Sequence, residues 1–184
     1  MNSFLKSNPV KIKISFFYLF LFFCAGSGAA FGQSAKLIGK KTAVFYPATY
    51  DAAANMPSFA LLKEPKAIGE VPKSWKLKPS FYSQNGKTFA TLPVAEGTSL
   101  YGTGECTGPL LRNDKKITLW NTDNYKYSID SGNRLYQSHP WVLGVNRDGT
   151  AFGVIADNSW KQQIELTDSI RFISEGPAFR VIVI

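Results

Sequence analysis

The sequence predicts an all-β fold, an antiparallel β-sandwich of two sheets. Three observations carry that prediction. Short runs rich in β-branched and aromatic residues recur along residues 33–184. Turn-forming residues, including Asn-Gly and Asp-Gly, separate these runs at short intervals. No long segment carries apolar residues at helical spacing.

In chain order, TAVFY (Thr42–Tyr46), SFALL (Ser58–Leu62), KTFATL (Lys87–Leu92) and ITLW (Ile117–Trp120) have the composition of strands. WVLGV (Trp141–Val145), AFGVIA (Ala151–Ala156), QIEL (Gln163–Leu166) and SIRFI (Ser169–Ile173) continue the series, and FRVIVI (Phe179–Ile184) closes it. Asn85-Gly86 predicts a two-residue hairpin corner, because both residues tolerate positive φ. Asn146-Arg147-Asp148-Gly149 predicts a second hairpin between WVLGV and AFGVIA. Asp51–Asn55 has room for a turn or two of helix, and Asp157-Asn158-Ser159 has the residues of a capped turn after a strand. Neither an internal repeat nor a low-complexity linker is visible.

The first 32 residues stand apart. Lys6, Lys11 and Lys13 precede the apolar run Ile14–Gly26, and small residues follow. That order is a secretory signal peptide, with cleavage expected after Gly32 and export as the consequence. An uncleaved anchor is the competing reading, but the apolar run is short for a span of about 20 residues. A lipoprotein built on Cys24 has bulky Phe23 where a small residue is needed. The domain plan is therefore 1–32 signal peptide and 33–184 sandwich.

Removing the leader takes three lysines and no acids, so the formal charge falls from +8 to +5. The remaining lysines are scattered, with no run that tracks a phosphate backbone, and a nucleic-acid partner is not expected. One cysteine, Cys106, remains, which excludes an internal disulfide. The single histidine, His139, argues against His-based metal sites and a Ser-His-Asp triad. It precedes Pro140 at an expected strand end, where a packed or surface imidazole is the expectation. No cofactor or metal is expected.

LYGTGECTGPLLRNDKKITLWNTDNY (Leu100–Tyr125) is too irregular in composition for a simple helix or strand and predicts a shaped loop. Gly102, Gly104 and Gly108 permit tight folding. Trp120–Tyr125 then places an indole, two amides, a carboxylate and a phenol within six residues. Sugars are gripped by such sets, with aromatic faces on C–H surfaces and Asp or Asn on hydroxyls. A turn with packed aromatics has the same composition.

These residues carry a resemblance. LYGTGECTGPLLRNDKKITLWNTDNY, followed by LYQSHPWVLGVNRDGTAFGVIADNSW, is similar to the N-terminal β-sandwich of glycoside hydrolase family 31, which contains α-glucosidases and α-xylosidases. The shared signals are YG.GE, GPL followed by Arg112, LWNTD, LY.S.P and the DNS closure. They are dense over Leu100–Trp160 and looser over Lys36–Ile184.

The resemblance implies a galactose-mutarotase-like sandwich packed on a downstream (β/α)8 barrel in the same chain. That barrel carries two aspartates which hydrolyse α-glycosides with retention, through a covalent intermediate. Both aspartates would lie after Ile184, so no catalytic residue is assigned here. The chain stops inside a good strand, and the expectation is a domain cut from a longer glycosidase.

By the same resemblance, Asp123 hydrogen-bonds sugar in or beside the cleaved subsite, and Tyr125 sits where some members place a further sugar contact. Arg112 orders the loop, Trp120 packs beneath it, and Glu105 hydrogen-bonds backbone amides in the GTGE turn. The ligand is an α-linked oligosaccharide or glycoside. Glu105, Asp114, Asp123 and Asp130 share one region, but no scaffold fixes two of them at a working separation, and the isolated chain is expected to be inactive. A free-standing carbohydrate-binding sandwich without catalysis is the alternative, and a remnant that misfolds without its barrel is a third reading.

Overall fold

A strand buries one face when alternate residues are apolar, and Ile164-Glu165-Leu166 and Ile170-Arg171-Phe172 show that alternation. The computed structural model describes residues 33–55, 58, 64–124 and 134–184. The expected signal peptide, Tyr125 and Asp130 lie outside the described residues, as does most of SFALL, whose Ser58 belongs to no strand.

Eleven strands form among the described residues. They are β1 Gln33–Gly39, β2 Thr42–Pro47, β3 Ser80–Gln84, β4 Lys87–Pro93, β5 Ser99–Cys106 and β6 Lys115–Leu119. The series continues with β7 Arg134–Val145, β8 Ala151–Asp157, β9 Gln162–Leu166, β10 Ser169–Ser174 and β11 Arg180–Val183. Six make one sheet in the order β1-β2-β11-β8-β7-β5, and five make the other in the order β3-β4-β10-β9-β6. Every neighbouring pair of strands is antiparallel, so the fold is the predicted all-β sandwich.

The core fills the space between the sheets. Phe45, Leu100, Val142, Val154 and Val181 face inward from the first sheet, and Leu92, Ile164, Leu166, Ile170 and Phe172 from the second. Both hairpins form where expected. Gln84 pairs with Lys87 around Asn85 and Gly86, whose φ values of 52° and 72° fit a mirror-image turn. Asp51–Asn55 is one hydrogen-bonded turn, with the Asp51 carboxylate accepting from Ala53 N.

Strand β5 corrects the expectation of an irregular loop from Leu100. Its backbone joins the sheet beside β7, but the register shifts on both sides of Gly104. Gly102, Thr103 and Gly104 have φ of 103°, 74° and 80°, so this stretch is a bulged strand. Composition hid it because glycines here serve close approach. A Cβ on Gly104 would lie 2.6 Å from Gln137 O and His139 N, and one on Gly102 would lie 2.6 Å from Trp141 O. His139 itself lies inside β7 with its imidazole exposed.

The outer face of the six-stranded sheet carries a buried charge cluster. Arg180 Nε donates to Asp157 Oδ2 at 2.6 Å, with both side chains almost wholly shielded. Arg180 also reaches Glu64 Oε2 at 2.9 Å, Ser58 donates to the Asp157 carboxylate, and Tyr46 donates its hydroxyl to Glu64. Asn55 Nδ2 donates to Asp157 O at 2.9 Å, so the cluster ties the 47–64 segment to β8 and β11.

Burial disfavours ionised Glu64, but bonds from Tyr46 and Lys36 and the charge of Arg180 outweigh it, holding its carboxyl below the ordinary range. Burial and the Glu64 bond push the Tyr46 hydroxyl up, so it stays a donor. A carboxylate with a depressed folded pKa stabilises above its unfolded pKa, about 4.3 for glutamate, and loses that contribution as pH falls through the folded value. Glu64→Gln is therefore expected to destabilise the 47–64 attachment at pH 7, with the gap to wild type closing below about pH 4.3. Hydrogen exchange of β2 and β11 amides across that range measures it. A gap independent of pH contradicts the assignment.

Candidate carbohydrate-contact end of the sandwich

Two connections cross between the sheets at one end of the sandwich. One leaves β6 through Trp120-Asn121-Thr122-Asp123-Asn124 toward β7, and the other leaves β8 through Asn158-Ser159-Trp160-Lys161 into β9. Local hydrogen bonding shapes each of them.

In the first, Thr122 Oγ1 donates to Trp120 O at 2.9 Å and Thr122 N donates to Leu135 O at 2.9 Å. Asn124 Nδ2 donates to Arg134 O at 3.3 Å, so the segment runs pinned along the start of β7. Asp123 is exposed on this stretch, with no side-chain hydrogen bond or ion pair among the described residues. Trp120, expected beneath the loop, is 51% exposed.

In the second, the Asn158 side chain accepts from Trp160 N at 2.8 Å and donates to Ser174 Oγ, as a capped turn should. Trp160 lies over Gly176, where a Cβ would come within 2.3 Å of the indole Cγ. Lys161 and Glu175 hold the two segments together by an ion pair at 3.1 Å and a backbone bond from Glu175 N to Lys161 O. The indole is thus backed by glycine, yet 50% exposed.

Between the connections lies a cleft of about 310 Å3, with Trp120 and Asn121 on one wall, Ser159 and Trp160 on the other, and Pro140 and Gln162 among the remaining lining. Among the described residues no charged side chain lines it. Gln162 is 3% exposed and its Nε2 donates to Asn158 O at 2.9 Å. Its Oε1 is buried with no hydrogen-bond partner among the described residues, a defect that costs about 1–3 kcal/mol. Ser138, opposite Gly104 in the β5–β7 register, also borders the cleft.

The other residues singled out from the sequence lie further along β5 and its exit. Arg112 is buried, and its guanidinium donates to Cys106 O and Thr107 O, each at 3.4 Å. Glu105 is exposed on β5, and no side-chain bond to a backbone amide forms among the described residues. Asp114 has φ of 60° and donates its amide to Leu166 O. No group of three or more His, Cys, Asp or Glu positioned for a metal occurs among the described residues.

Sequence reasoning missed Trp160 and Gln162. Their signal was slight: an aromatic directly after a capped turn, and a polar residue on the core-facing parity of β9. Only folding brings them beside Trp120.

Comparison with known proteins agrees with the fold. The profile of the glycosyl hydrolase 31 N-terminal galactose mutarotase-like domain matches residues 56–165. Alpha-glucosidase 2 of Bacillus thermoamyloliquefaciens is 35% identical over 100 residues, covering 53% of this chain and 13% of the relative. A family 31 alpha-glucosidase from Bacteroides thetaiotaomicron is 57% identical over 52% of this chain and 17% of its own, with a TM-score of 0.48. The glucose complex of a Flavobacterium johnsoniae GH31 dextranase shares the fold, with a TM-score of 0.64 at 18% identity over 83% of this chain and 23% of its own. The chain thus spans between about an eighth and a quarter of the length of these relatives. Its matched residues and its two antiparallel sheets place it in glycoside hydrolase family 31, as an N-terminal galactose mutarotase-like domain.

Proposed function

We propose that this chain is the N-terminal portion of an exported α-glycosidase that hydrolyses O-glycosyl bonds with retention. It contributes one sugar-contacting loop, while a downstream (β/α)8 barrel supplies the two catalytic carboxylates. The observation that carries this reading is the state of the 120–124 segment. Its backbone is anchored to the start of β7, yet Asp123 is exposed on it with no side-chain partner among the described residues. An exposed carboxylate on an anchored backbone can accept two hydrogen bonds from neighbouring sugar hydroxyls.

An α-linked glucoside is the substrate class to test first. The alpha-glucosidases among the relatives support this choice of ligand class. Tyr125 would add a further contact, and Arg112 would order the loop by tying down the carbonyls of Cys106 and Thr107. The leader ending at Gly32 would direct the protein to the periplasm or beyond.

In the full-length enzyme, Asp123→Ala is expected to lower kcat/KM by the worth of a charged hydrogen bond, about 1.5–3 kcal/mol. The melting temperature should stay nearly constant, because the side chain is exposed and bonds to no other described residue. Steady-state kinetics on maltose and isomaltose measure this. An unchanged kcat/KM removes Asp123 from the sugar site.

A further inference from the structure

We propose that the cleft between Trp120 and Trp160 is itself a binding site for an uncharged pyranose unit of a glycan, with the Trp160 indole as its platform. This goes beyond the reading above, because it rests on Trp160, Gln162 and Gly176, none of which that reading uses.

Two exposed tryptophans are costly to leave in water unless they meet a partner, and both stand at one cleft. Their placement is built. Gly176 leaves space for the Trp160 ring, the Asn158 cap fixes its backbone, and the Lys161–Glu175 pair closes the segment behind it. A hexopyranose offers alternating C–H patches and hydroxyls, and the cleft offers indoles alternating with the amides and hydroxyls of Asn121, Ser138 and Ser159.

The cleft's charge decides between ligand chemistries. Among the described residues no Lys, Arg, Asp or Glu lines it, which disfavours phosphorylated sugars and uronic acids and favours neutral hexoses. Its volume, about 310 Å3, lies at the small end of ligand sites, roughly 300–1,000 Å3, and suits a mono- to disaccharide unit of a longer chain. Gln162 adds an independent sign. It lines the cleft almost wholly buried, and its amide oxygen has no donor among the described residues, a place that a sugar hydroxyl can fill.

The test is calorimetric titration of a thio-linked α-gluco-trisaccharide, which resists hydrolysis, into the full-length protein and its Trp160→Ala, Trp160→Phe and Trp120→Ala variants. Trp160→Ala is expected to weaken binding at least tenfold, Trp160→Phe to retain most of it, and Trp120→Ala to weaken it to a lesser degree. Wild-type affinity in Trp160→Ala, with unchanged far-UV circular dichroism, overturns the proposal. A Trp160→Ala protein with altered far-UV circular dichroism passes the decision to Gln162→Leu, which is expected to weaken binding, and wild-type affinity in that variant overturns the proposal as well.

The two readings fail separately. Lost turnover in Asp123→Ala with unchanged trisaccharide binding in the tryptophan variants leaves the glycosidase reading standing and sinks this one. A full-length protein with no hydrolase activity, but with binding abolished by Trp160→Ala, does the reverse.

Discussion

Asp157→Ala is expected to lower the stability of the β8–β11 region by about 3–5 kcal/mol. The substitution leaves Arg180 only 2% exposed and without its nearest counter-charge. The cost comes from stranding an ion, because a buried pair taken as a whole contributes little against an apolar pair of similar volume. Asp157 also accepts from Ser58, so its loss loosens the 47–64 segment.

Hydrogen exchange in the full-length protein gives the measurement. Protection of β8 and β11 amides should fall by at least a hundredfold, since each 1.4 kcal/mol is a factor of ten. The double variant Asp157→Leu, Arg180→Leu should recover most of that loss. If the single and double variants are equally unprotected, packing and not stranded charge explains the effect.

Gly104→Ala is the second large effect, about 2–5 kcal/mol. Two terms build it. An L-residue held in the left-handed region costs roughly 1–2 kcal/mol, and the Cβ meets backbone atoms at 2.6 Å, an overpacking worth roughly 1–3 kcal/mol. Gly86→Ala separates the terms, because its φ is also positive while nothing lies within 4 Å of the added carbon. It should cost only the first. Thermal unfolding of the two variants compares them directly, and equal shifts would show that β7 yields freely to the added methyl. Because Ser138 lies opposite Gly104 and borders the cleft, Gly104→Ala should also disturb the sandwich end that carries Trp120.

Much of the fold was legible. β2, β4, β6, β8, β9, β10, β11 and the second half of β7 stood out because they are rich in β-branched, aromatic or other apolar residues, and both hairpin corners were marked by Asn-Gly or Asp-Gly. β1 was missed because QSAKLIG is half polar and half exposed, as suits an edge strand. β3 was missed for the same reason, with Phe81 its one buried apolar side chain. β5 was misread because glycine predicts a loop until the neighbouring strand is known.

The candidate site was legible where residues lie close in sequence, as in Trp120–Asp123, and opaque where folding joins distant ones. Trp160 reaches Trp120 across a crossover between sheets, and Arg180 reaches Asp157 across a ladder. The one local sign of the latter was an arginine set between Phe179 and Val181 in an otherwise apolar run.

The bulge in β5 also bears on how the molecule behaves among its own copies. β5 is the last strand of its sheet, and an open edge invites another chain to add itself and seed a fibre. Here the strand is kinked by three successive residues of positive φ, and its free side is already engaged. Arg112 N donates to Leu100 O at 2.7 Å, while Leu100 N donates to the Asn113 side chain at 2.8 Å. An incoming strand would find no straight ladder and, at Leu100, no vacant donor, so the contortion that shapes the sandwich end also guards this border against self-templated growth.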